Sequence, residues 1–290
     1  VKAVAGYYGV TEREVLFGNG SDELLAFCFQ AFCGADTPAC YADITYGFYK
    51  VFARIYGVPS IIVPLDDAFN LDPADYRPAG GTVFIANPNA PTGMAIGLDA
   101  IESILKANPE HVVVIDEAYV DFGAKSAVPL VHSYENLVVV QTMSKSRSLA
   151  GARIGFAIAN EALISDLNAM KFSFNPYNLN RLSLLAAEAA IADAAYFAAC
   201  TKTIKEVRAY TAEELTRRGF TVLKSHANFV FAKPPRMGGE AYYQKLREKG
   251  VLVRHFSQDR IREYVRVTIG TQEQMRRLLQ ATDELWGENA

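Results

Sequence analysis

The chain has 290 residues, half of them apolar, and a formal net charge of −3. This length predicts about two domains, and the apolar content is enough to bury a large core. Because the net charge is slightly negative and the basic residues are spread along the chain, the sequence argues against nucleic acid and anionic membranes as partners. No apolar stretch is long enough to span a bilayer, so we expect no membrane partner.

The cysteines and histidines show no metal-binding or redox spacing. No CxxC spacing occurs among Cys28, Cys33, Cys40 and Cys200, and three of the four lie in apolar or small-residue surroundings that suit buried free thiols. This pattern predicts a reducing cytoplasm. The histidines lack HExxH and any other two-histidine helical spacing, so we expect no metal site at His111, His132, His226 or His255.

The chain opens on the pattern of a helix that is already under way and ends at Gly9. We therefore expect a further segment before Val1. Residues 18–23, Gly-Asn-Gly-Ser-Asp-Glu, then come directly before an apolar-periodic helix predicted over residues 22–33. Glycines allow a tight turn there, and free N–H groups at a helix start bind phosphate. An ordinary N-cap at Ser21 is the alternative, and taken alone this motif favours it.

Strand-like apolar runs next alternate with helical patterns, which is typical of a mostly parallel α/β sheet. The predicted strands cover residues 61–64, 82–87, 111–116 and 137–142, and the predicted helices cover residues 46–56 and 98–108. A further short strand, residues 153–159, follows a loop too brief for a helical crossover. We therefore expect this strand to run antiparallel to its neighbour.

An alanine-rich helical region over residues 181–218 separates this pattern from the rest of the chain. Beyond it, strands are predicted over residues 221–223, 229–233, 251–254 and 264–269, with a helix over residues 240–249. The predicted fold is a three-layer α/β/α domain with a mostly parallel sheet, residues 1–194, followed by a smaller α+β domain, residues 195–290.

Two strand ends carry side chains that suit one cofactor. Lys145 lies in a hydroxyl-rich turn after a buried strand, and a lysine amine forms a Schiff base with an aldehyde. Thr142, Ser144 and Arg153 flank it and would bind an anion through charge-assisted hydrogen bonds. Asp116 ends another buried strand and could keep a pyridine nitrogen protonated. Pyridoxal phosphate carries the aldehyde, the anion and the pyridine together.

Neighbouring residues allow other interpretations. Residues 87–93, Asn-Pro-Asn-Ala-Pro-Thr-Gly, could direct asparagine amides at a ligand from the end of a parallel strand, or they could form a simple turn. Asp116 and Glu117 could hold Mg²⁺ in the manner of a Walker B acid, although the chain lacks a P-loop. Tyr119 could place its phenol near a cofactor oxygen or could only pack.

Four motifs in order resemble those of fold-type I pyridoxal-phosphate-dependent aminotransferases, specifically the histidinol-phosphate aminotransferase family: GNGSDE, NPNAPTG, VVVIDEAY and TMSKSRSLAGARIGF. The resemblance covers essentially the whole chain. It implies that Lys145 is the Schiff-base lysine, that Asp116 contacts the pyridinium nitrogen and that Tyr119 contacts the ring oxygen. These three residues are the predicted catalytic set.

The resemblance also implies the remaining ligands of the cofactor and substrate. Phosphate binding falls to the backbone around Gly20, Ser21 and Asp22 together with Thr142, Ser144 and Arg153, and stacking on the cofactor ring falls to Tyr46. Arg266 would hold the substrate carboxylate, and Arg254 would lie near its phosphate end. Relatives commonly have asparagine directly before Pro-Thr-Gly, where this chain has Ala90. The ring-oxygen contact therefore falls to Asn89, to Tyr119 or to water.

The function implied is transfer of an amino group between an amino donor, best matched by histidinol phosphate, and the oxo acid 2-oxoglutarate, as in histidine biosynthesis. A cytoplasmic homodimer with pockets at its interface is also implied. The family's opening segment, which carries an N-terminal arm and a tyrosine that reaches the neighbouring subunit's phosphate, has no counterpart in the sequence. Alternatives are an aromatic amino acid aminotransferase, a phospho-amino-acid decarboxylase or a non-catalytic protein that binds pyridoxal phosphate.

Overall fold

The computed structural model describes residues 1–287 and contains two β-sheets. The larger sheet has the strand order β1-β7-β6-β5-β4-β2-β3. Its strands are β1 (Val15–Gly18), β2 (Ala39–Ala42), β3 (Ser60–Val63), β4 (Thr82–Ala86), β5 (Val113–Asp116), β6 (Leu137–Thr142) and β7 (Gly155–Ala159). Strands β3, β2, β4, β5 and β6 pair in parallel, whereas β7 is antiparallel to both β6 and β1. The predicted parallel sheet and the predicted antiparallel strand are both confirmed.

Helices cover both faces of this sheet. Along β5, Val113 and Ile115 pack with the helices of one face and Val114 with those of the other, because successive strand residues point in opposite directions. Both faces are therefore buried, which explains the continuous apolar runs in the sequence. The helices are α1 (Lys2–Tyr8), α2 (Ser21–Phe32), α3 (Phe48–Tyr56), α4 (Leu98–Ala107), α5 (Glu161–Phe174) and α6 (Arg181–Ala192). This part of the molecule is called the large lobe below.

The second sheet is antiparallel throughout, in the order β10-β11-β9-β8. Its strands are β8 (Thr221–Val222), β9 (Phe229–Lys233), β10 (Arg254–His255) and β11 (Val265–Thr268). It packs against α7 (Ala194–Arg217), α8 (Gly239–Glu248) and α9 (Gln272–Gly287) around a separate apolar core. These elements form the small lobe, which is the expected α+β arrangement.

The helical region over residues 181–218 consists of two helices rather than one. Asp193 separates α6 from α7 and caps α7, because its carboxylate accepts a hydrogen bond from the N–H of Tyr196 at 3.0 Å. The helix axes differ by 78° at this break. Among residues 1–287 no single helix is long and apolar enough to cross a bilayer, and only this bent pair taken together reaches the required length and composition.

The topology brings several chain segments to one edge of the large sheet. Parallel strands β4, β5 and β6 end side by side, since Ala86 pairs with Asp116 and Asp116 pairs with Val140. The start of α2 approaches the same edge from β1, where Gly18 pairs with Gly155 of β7. The carboxyl ends of parallel strands are the usual ligand-binding edge of such sheets.

Candidate active site

An open cavity of about 530 Å³ lies at this edge. It is lined by residues from the start of α2, from the segment before α3 and from the ends of β4, β5, β6 and the turn before β7: Ser21, Asp22, Tyr46, Ala86, Pro88, Ala90, Asp116, Ala118, Tyr119, Thr142, Ser144, Lys145 and Arg153. The structure therefore brings together most of the site residues predicted from the sequence.

Asp116 supplies a buried carboxylate at the base of the cavity, with 5% of its surface exposed. The phenol of Tyr49 donates a hydrogen bond to Oδ2 at 3.0 Å, and the N–H of Ala118 donates to Oδ1 at 3.2 Å. Each carboxylate oxygen therefore has one donor and retains the capacity to accept another.

Burial raises the pKa of Asp116 from 3.8 to about 6, because a charged carboxylate is poorly solvated there. The hydrogen bonds from Tyr49 and Ala118 oppose this rise, the negative charge of Asp22 adds to it, and the positive charge of Lys145 opposes it. A cationic N–H group facing Asp116 would stabilise the ionised form. The carboxylate thus suits a protonated pyridine nitrogen.

Lys145 supplies the amine of the cavity. It lies in the turn that follows β6, and its Nζ is 5.4 Å from the centre of the Tyr119 ring. Of the lysines in residues 1–287, only Lys145 lines this cavity. Its side chain is exposed to the cavity and can reach an aldehyde held there.

The first turn of α2 provides backbone donors for an anion. Gly20 rather than Ser21 is the N-cap, and no side chain caps the helix, so the interpretation of Ser21 as an ordinary N-cap is wrong. Gly20 has φ 84°, and a Cβ there would lie 2.4 Å from Nη2 of Arg153. A Cβ at Gly155 would lie 2.5 Å from the backbone N of Ser21. These two glycines let the helix start, the strand and the arginine meet closely.

Arg153 and two hydroxyl groups complete the anion-binding side of the cavity. Nη1 of Arg153 donates to Oγ of Ser144 at 3.4 Å, and Nη2 lies 4.0 Å from Oδ2 of Asp22. The hydroxyl of Thr142 accepts a hydrogen bond from the N–H of Ser144 at 3.2 Å. A guanidinium, two hydroxyls and free helix N–H groups are donors of the kind that bind phosphate.

Two tyrosines form aromatic walls. The phenol of Tyr46 donates to Oδ1 of Asp22 at 2.7 Å, so the side chain of Asp22 orients this ring. Tyr119 is in edge contact with Phe229 of the small lobe, with ring centres 5.1 Å apart. Both tyrosines line the cavity, as the sequence predicts for residues beside a cofactor ring.

Four of the predicted residues lie outside the cavity lining, among them Gly20, which lies beside Arg153, and Asn89. The amide of Asn89 donates to the carbonyl of Ile44 at 2.9 Å and to Oγ1 of Thr92 at 3.1 Å, so its nitrogen is already used within the protein. Ala90, not Asn89, lines the cavity. The structure therefore gives no support to Asn89 as a cofactor ligand.

Arg254 and Arg266 are paired neighbours on β10 and β11 of the small lobe. The guanidinium of Arg266 lies 5.0 Å from the centre of Phe229, whose ring contacts Tyr119. Both arginines also lie against Phe256, at 5.6 Å for Arg254 and 5.8 Å for Arg266. Nε of Arg266 is buried and has no hydrogen-bond partner among residues 1–287. A buried donor without a partner is costly, which favours an anionic ligand there.

Tyr49 is a site residue that the sequence did not single out. Its phenol contacts Asp116, yet its ring is fully buried among the aromatic residues behind the cavity. In the sequence it appears as one more apolar position of a helix. The available signal was its spacing of three residues from Tyr46, which puts both side chains on the same side of the chain.

Glu117, which the sequence suggested only as a possible magnesium ligand beside Asp116, lies in a buried polar network behind the site. Its carboxylate accepts hydrogen bonds from Oγ of Ser126, the N–H of Ala127 and the amide of Gln141, at 2.7, 2.6 and 2.8 Å. Burial nevertheless raises the pKa of Glu117 from 4.5 to about 7, and the charge of Asp121 adds to the rise.

A pH-dependent stability difference should follow from Glu117. Because its pKa is higher in the folded protein, folding favours the protonated carboxyl, and this stabilisation is lost as pH rises from about 4.5 to about 7. Glu117→Gln removes this titration. The unfolding free energy of the wild type relative to Glu117→Gln should therefore fall by about 3 kcal/mol across this pH range. Urea unfolding of the cofactor-free proteins measures it, and a difference that rises with pH would contradict the assignment.

The cavity residues fit pyridoxal phosphate. The buried carboxylate of Asp116 has unused acceptor capacity for a ring N–H, and Lys145 supplies an amine. The close approach of Arg153 to Gly20 forms a donor-rich pocket for a phosphate. Tyr46 supplies an aromatic face.

Comparison with known sequences identifies relatives of this chain. The family model described as aminotransferase class I and II matches residues 1–281. The chain is 49% identical over 285 residues to histidinol-phosphate aminotransferase 1 of Pseudomonas fluorescens, and the alignment covers 98% of this chain and 81% of that protein.

Solved structures share the fold over nearly the whole chain. The histidinol-phosphate aminotransferase of Clostridium acetobutylicum has a TM-score of 0.91 at 25% identity, covering 99% of this chain and 88% of that one. The histidinol-phosphate aminotransferase of Sinorhizobium meliloti, solved in complex with pyridoxal-5′-phosphate, has a TM-score of 0.87 at 24% identity, covering 100% of this chain and 81% of that one.

Proposed function

The chain belongs to the aminotransferase class I and II family, and we propose that it transfers the amino group of histidinol phosphate to 2-oxoglutarate with pyridoxal phosphate as cofactor. The observation that carries this proposal is the 49% identity, over 98% of the chain, to a histidinol-phosphate aminotransferase. The cavity supports it with an amine, a buried carboxylate and a phosphate pocket at one sheet edge.

Lys145 is the proposed proton carrier. When bound, pyridoxal phosphate supplies an aldehyde carbon and a ring that takes up the electron pair left when the substrate Cα loses its proton. Lys145 would hold the cofactor through its aldehyde in the resting enzyme, and its freed amine would carry the proton that leaves the substrate Cα. Its place in an exposed turn gives Nζ the freedom this transfer needs.

The other cavity residues hold the reactants in place. Asp116, oriented by Tyr49, would hold the ring nitrogen in its protonated form. Tyr119 would hold the ring oxygen, and Tyr46 would cover a ring face. The start of α2, Thr142, Ser144 and Arg153 would bind the phosphate.

Arg266 is the proposed ligand of the substrate carboxylate, and its buried Nε without a partner supports this role. Arg266→Ala should raise the KM for 2-oxoglutarate by about 10- to 100-fold, because a charge-assisted hydrogen bond is lost. Arg254→Ala is the matched variant, since Arg254 pairs with Arg266 in the sheet but is proposed to face the donor's phosphate. Arg254→Ala should raise the KM for histidinol phosphate more than the KM for 2-oxoglutarate. Steady-state kinetics with each substrate varied in turn would contradict the assignment if the KM for 2-oxoglutarate is unchanged in Arg266→Ala.

The choice of donor is tested by a panel assay on the purified protein. Histidinol phosphate should give the highest kcat/KM among histidinol phosphate, aromatic amino acids and a phosphorylated amino acid, with 2-oxoglutarate as acceptor. Carbon dioxide is measured in the same reactions. Its release without oxo-acid formation would indicate a decarboxylase, and inertness to every donor would indicate a protein that only binds the cofactor.

The oligomeric state, the cellular location and the boundary between the two domains are part of the same proposal. Large apolar side chains are exposed on α5, α6 and the segment between them, namely Phe172, Phe174, Tyr177, Leu182 and Leu185, which supports a homodimer. The four free cysteines support a reducing, cytoplasmic location. We put the division between the domains at residues 194 and 195, because α7 contributes Val207 and Leu215 to the small-lobe core. Sedimentation equilibrium would test the dimer.

A further inference from the structure

Arg260 belongs to the small lobe, between β10 and β11, but its guanidinium contacts only large-lobe acceptors among residues 1–287. Nη1 donates to Oδ2 of Asp43 at 2.5 Å. Nη2 donates to the carbonyl oxygens of Leu65 and Asp66 at 3.0 and 2.7 Å. Both side chains of the ion pair are largely shielded, with 33% of Arg260 and 18% of Asp43 exposed. A shielded ion pair is screened less by solvent than a surface one.

Asp43 connects Arg260 to the backbone of the large lobe through further hydrogen bonds. Its second oxygen, Oδ1, accepts hydrogen bonds from the N–H groups of Ile44 and Leu65, both at 2.9 Å. Gln258, two residues before Arg260, donates to the carbonyl of Asp43 at 3.1 Å. The small lobe therefore holds Asp43 through its side chain and its backbone. Tyr46 follows only three residues later.

The turn over residues 66–70 is the second segment that Arg260 holds. Phe69 has φ 64°, a left-handed conformation that is unfavourable for a bulky side chain and must be held by its surroundings. The guanidinium of Arg260 lies 5.6 Å from the centre of the Phe69 ring, and Tyr264 contacts the ring edge-on with centres 5.5 Å apart. Beneath them lies an apolar cluster from both lobes that includes Ile44 and Phe231.

The segment from Asp43 to Tyr46 connects this contact to the cavity. The carbonyl of Ile44 accepts the amide hydrogen bond of Asn89, and the phenol of Tyr46 donates to Asp22 at the start of α2. The ring of Tyr46 is thus fixed at its hydroxyl end by α2 and at its backbone end by the Asp43 contact. We propose that Arg260 is a positioning residue, which bridges the lobes through Asp43 and fixes Tyr46 as the aromatic wall of the cofactor cavity.

Arg260→Gln should loosen this wall without touching the cofactor's other ligands. The dissociation constant for pyridoxal phosphate should rise about tenfold, because the cofactor would stack on a ring that is no longer held in one position. The circular dichroism of the bound cofactor should change, because a ring stacked on Tyr46 takes a different average orientation. The KM for the amino donor should rise more than kcat falls, since the amine and carboxylate that carry the chemistry stay in place.

Arg262→Gln is the matched control. Arg262 lies on the same segment and pairs only with Asp259 and Glu263 of that segment among the described residues, with 62% of its side chain exposed. Its variant should leave cofactor affinity, dichroism and KM at wild-type values. Cofactor affinity and dichroism unchanged in Arg260→Gln, with only the melting temperature lowered, would overturn the proposal and leave Arg260 a structural contact.

Hydrogen exchange of the cofactor-free proteins gives a readout that needs no cofactor. In Arg260→Gln, amide exchange should accelerate over residues 66–70 and also over residues 44–46, whereas Arg262→Gln should match the wild type. Acceleration confined to residues 66–70 would overturn the proposal. The inference rests on the proposed cofactor, and the two can fail separately. If the wild type does not bind pyridoxal phosphate, the proposed function is refuted. If the wild type and Arg260→Gln bind pyridoxal phosphate with equal affinity, this inference is refuted.

Two further variants test whether Arg260 acts through Asp43. Asp43→Asn keeps an acceptor for the N–H groups of Ile44 and Leu65 but removes the charge that faces Arg260. It should reproduce the weaker cofactor affinity, and the double variant should be no weaker than either single one. Arg260→Lys, which keeps the charge but cannot bond all three acceptors at once, should bind the cofactor with intermediate affinity. The proposed pair would be contradicted if the losses of cofactor affinity in Arg260→Gln and Asp43→Asn were additive. It would also be contradicted if Arg260→Lys bound the cofactor as weakly as Arg260→Gln.

Discussion

Replacement of Lys145 by alanine should lower kcat by at least about 10³-fold while the protein still folds and binds pyridoxal phosphate noncovalently. The large effect is expected because one amine is proposed both to carry the cofactor and to move the proton at Cα, and proton transfer alone contributes about 10²- to 10⁴-fold. No second lysine lines the cavity within residues 1–287. The phosphate pocket and Asp116 remain intact in the variant, which is why binding should survive.

Single-turnover assays with histidinol phosphate would measure this loss. Lys125→Ala, at an exposed lysine outside the cavity, is the control and should keep wild-type turnover. Borohydride treatment followed by peptide mapping should attach the cofactor at Lys145 in the wild type and nowhere in Lys145→Ala. A variant that retains substantial transamination, or a wild type labelled at another residue, would rule out the assigned role.

Asp116→Asn should lower kcat by about 10²- to 10³-fold, the usual scale for loss of a preorganised electrostatic partner. Asparagine has nearly the same shape but carries no charge, so it cannot hold the ring nitrogen in its protonated form. The site is buried, which makes the missing charge matter more than it would in water. Stopped-flow measurement of Cα proton removal, with the Cα deuterated substrate as a check, would report the affected step.

The pH dependence of cofactor binding provides a separate test of Asp116. Because burial raises its pKa to about 6, the carboxylate becomes protonated below that pH and loses its attraction for a cationic ring nitrogen. Wild-type affinity for pyridoxal phosphate should therefore weaken below about pH 6, and the affinity of Asp116→Asn should not show this step.

Tyr49→Phe tests the hydrogen bond from the Tyr49 phenol to Asp116. The hydrogen bond from Tyr49 lowers the pKa of Asp116, so its removal should move the wild-type step in cofactor affinity to higher pH. The same step in all three proteins would mean that another group titrates. A downward movement in Tyr49→Phe would contradict the hydrogen-bonding role given to its phenol.

The sequence predicted the centre of the large sheet well because those strands are buried on both faces. Strands β4, β5 and β6 are runs of apolar residues that end abruptly, and a polar side chain after such a run stands out. Asp116 and Lys145 were recognised for this reason. Strands β1 and β2 were missed. Each has only four residues, and β2 also contains two alanines with little strand preference.

Helix α5 was also missed, because Phe172 and Phe174 near its end are exposed and blur the apolar period of the helix. Helix α9, which follows the last predicted strand, was not predicted either. The strand predicted at residues 251–254 begins only at Arg254, where pairing with β11 starts. Such differences arise from packing across the sequence, which a local pattern does not contain.

A site residue could be predicted from the sequence where the chemistry requires one residue type. It could not be predicted where several neighbouring residues could each face the cavity. Asn89 and Ala90 are adjacent in one turn, and only the folded chain decides which of them faces the cavity. Arg254 and Arg266 were named through family resemblance alone, because both lie on small-lobe strands and Arg266 approaches Tyr119 only through Phe229 on another strand. The interlobe contact of Arg260 with Asp43 joins residues 217 positions apart and has no local signature.

The antiparallel pairing of β6 with β7 has a mechanical consequence. The two strands form one hairpin, and its loop carries both Lys145 and Arg153. As proposed, Lys145 and Arg153 would both hold the cofactor from this one loop, whereas Arg254 and Arg266 would bind substrate from the small lobe. A shift of the small lobe relative to the large lobe would therefore move the two substrate arginines and leave the loop's contacts with the cofactor unchanged.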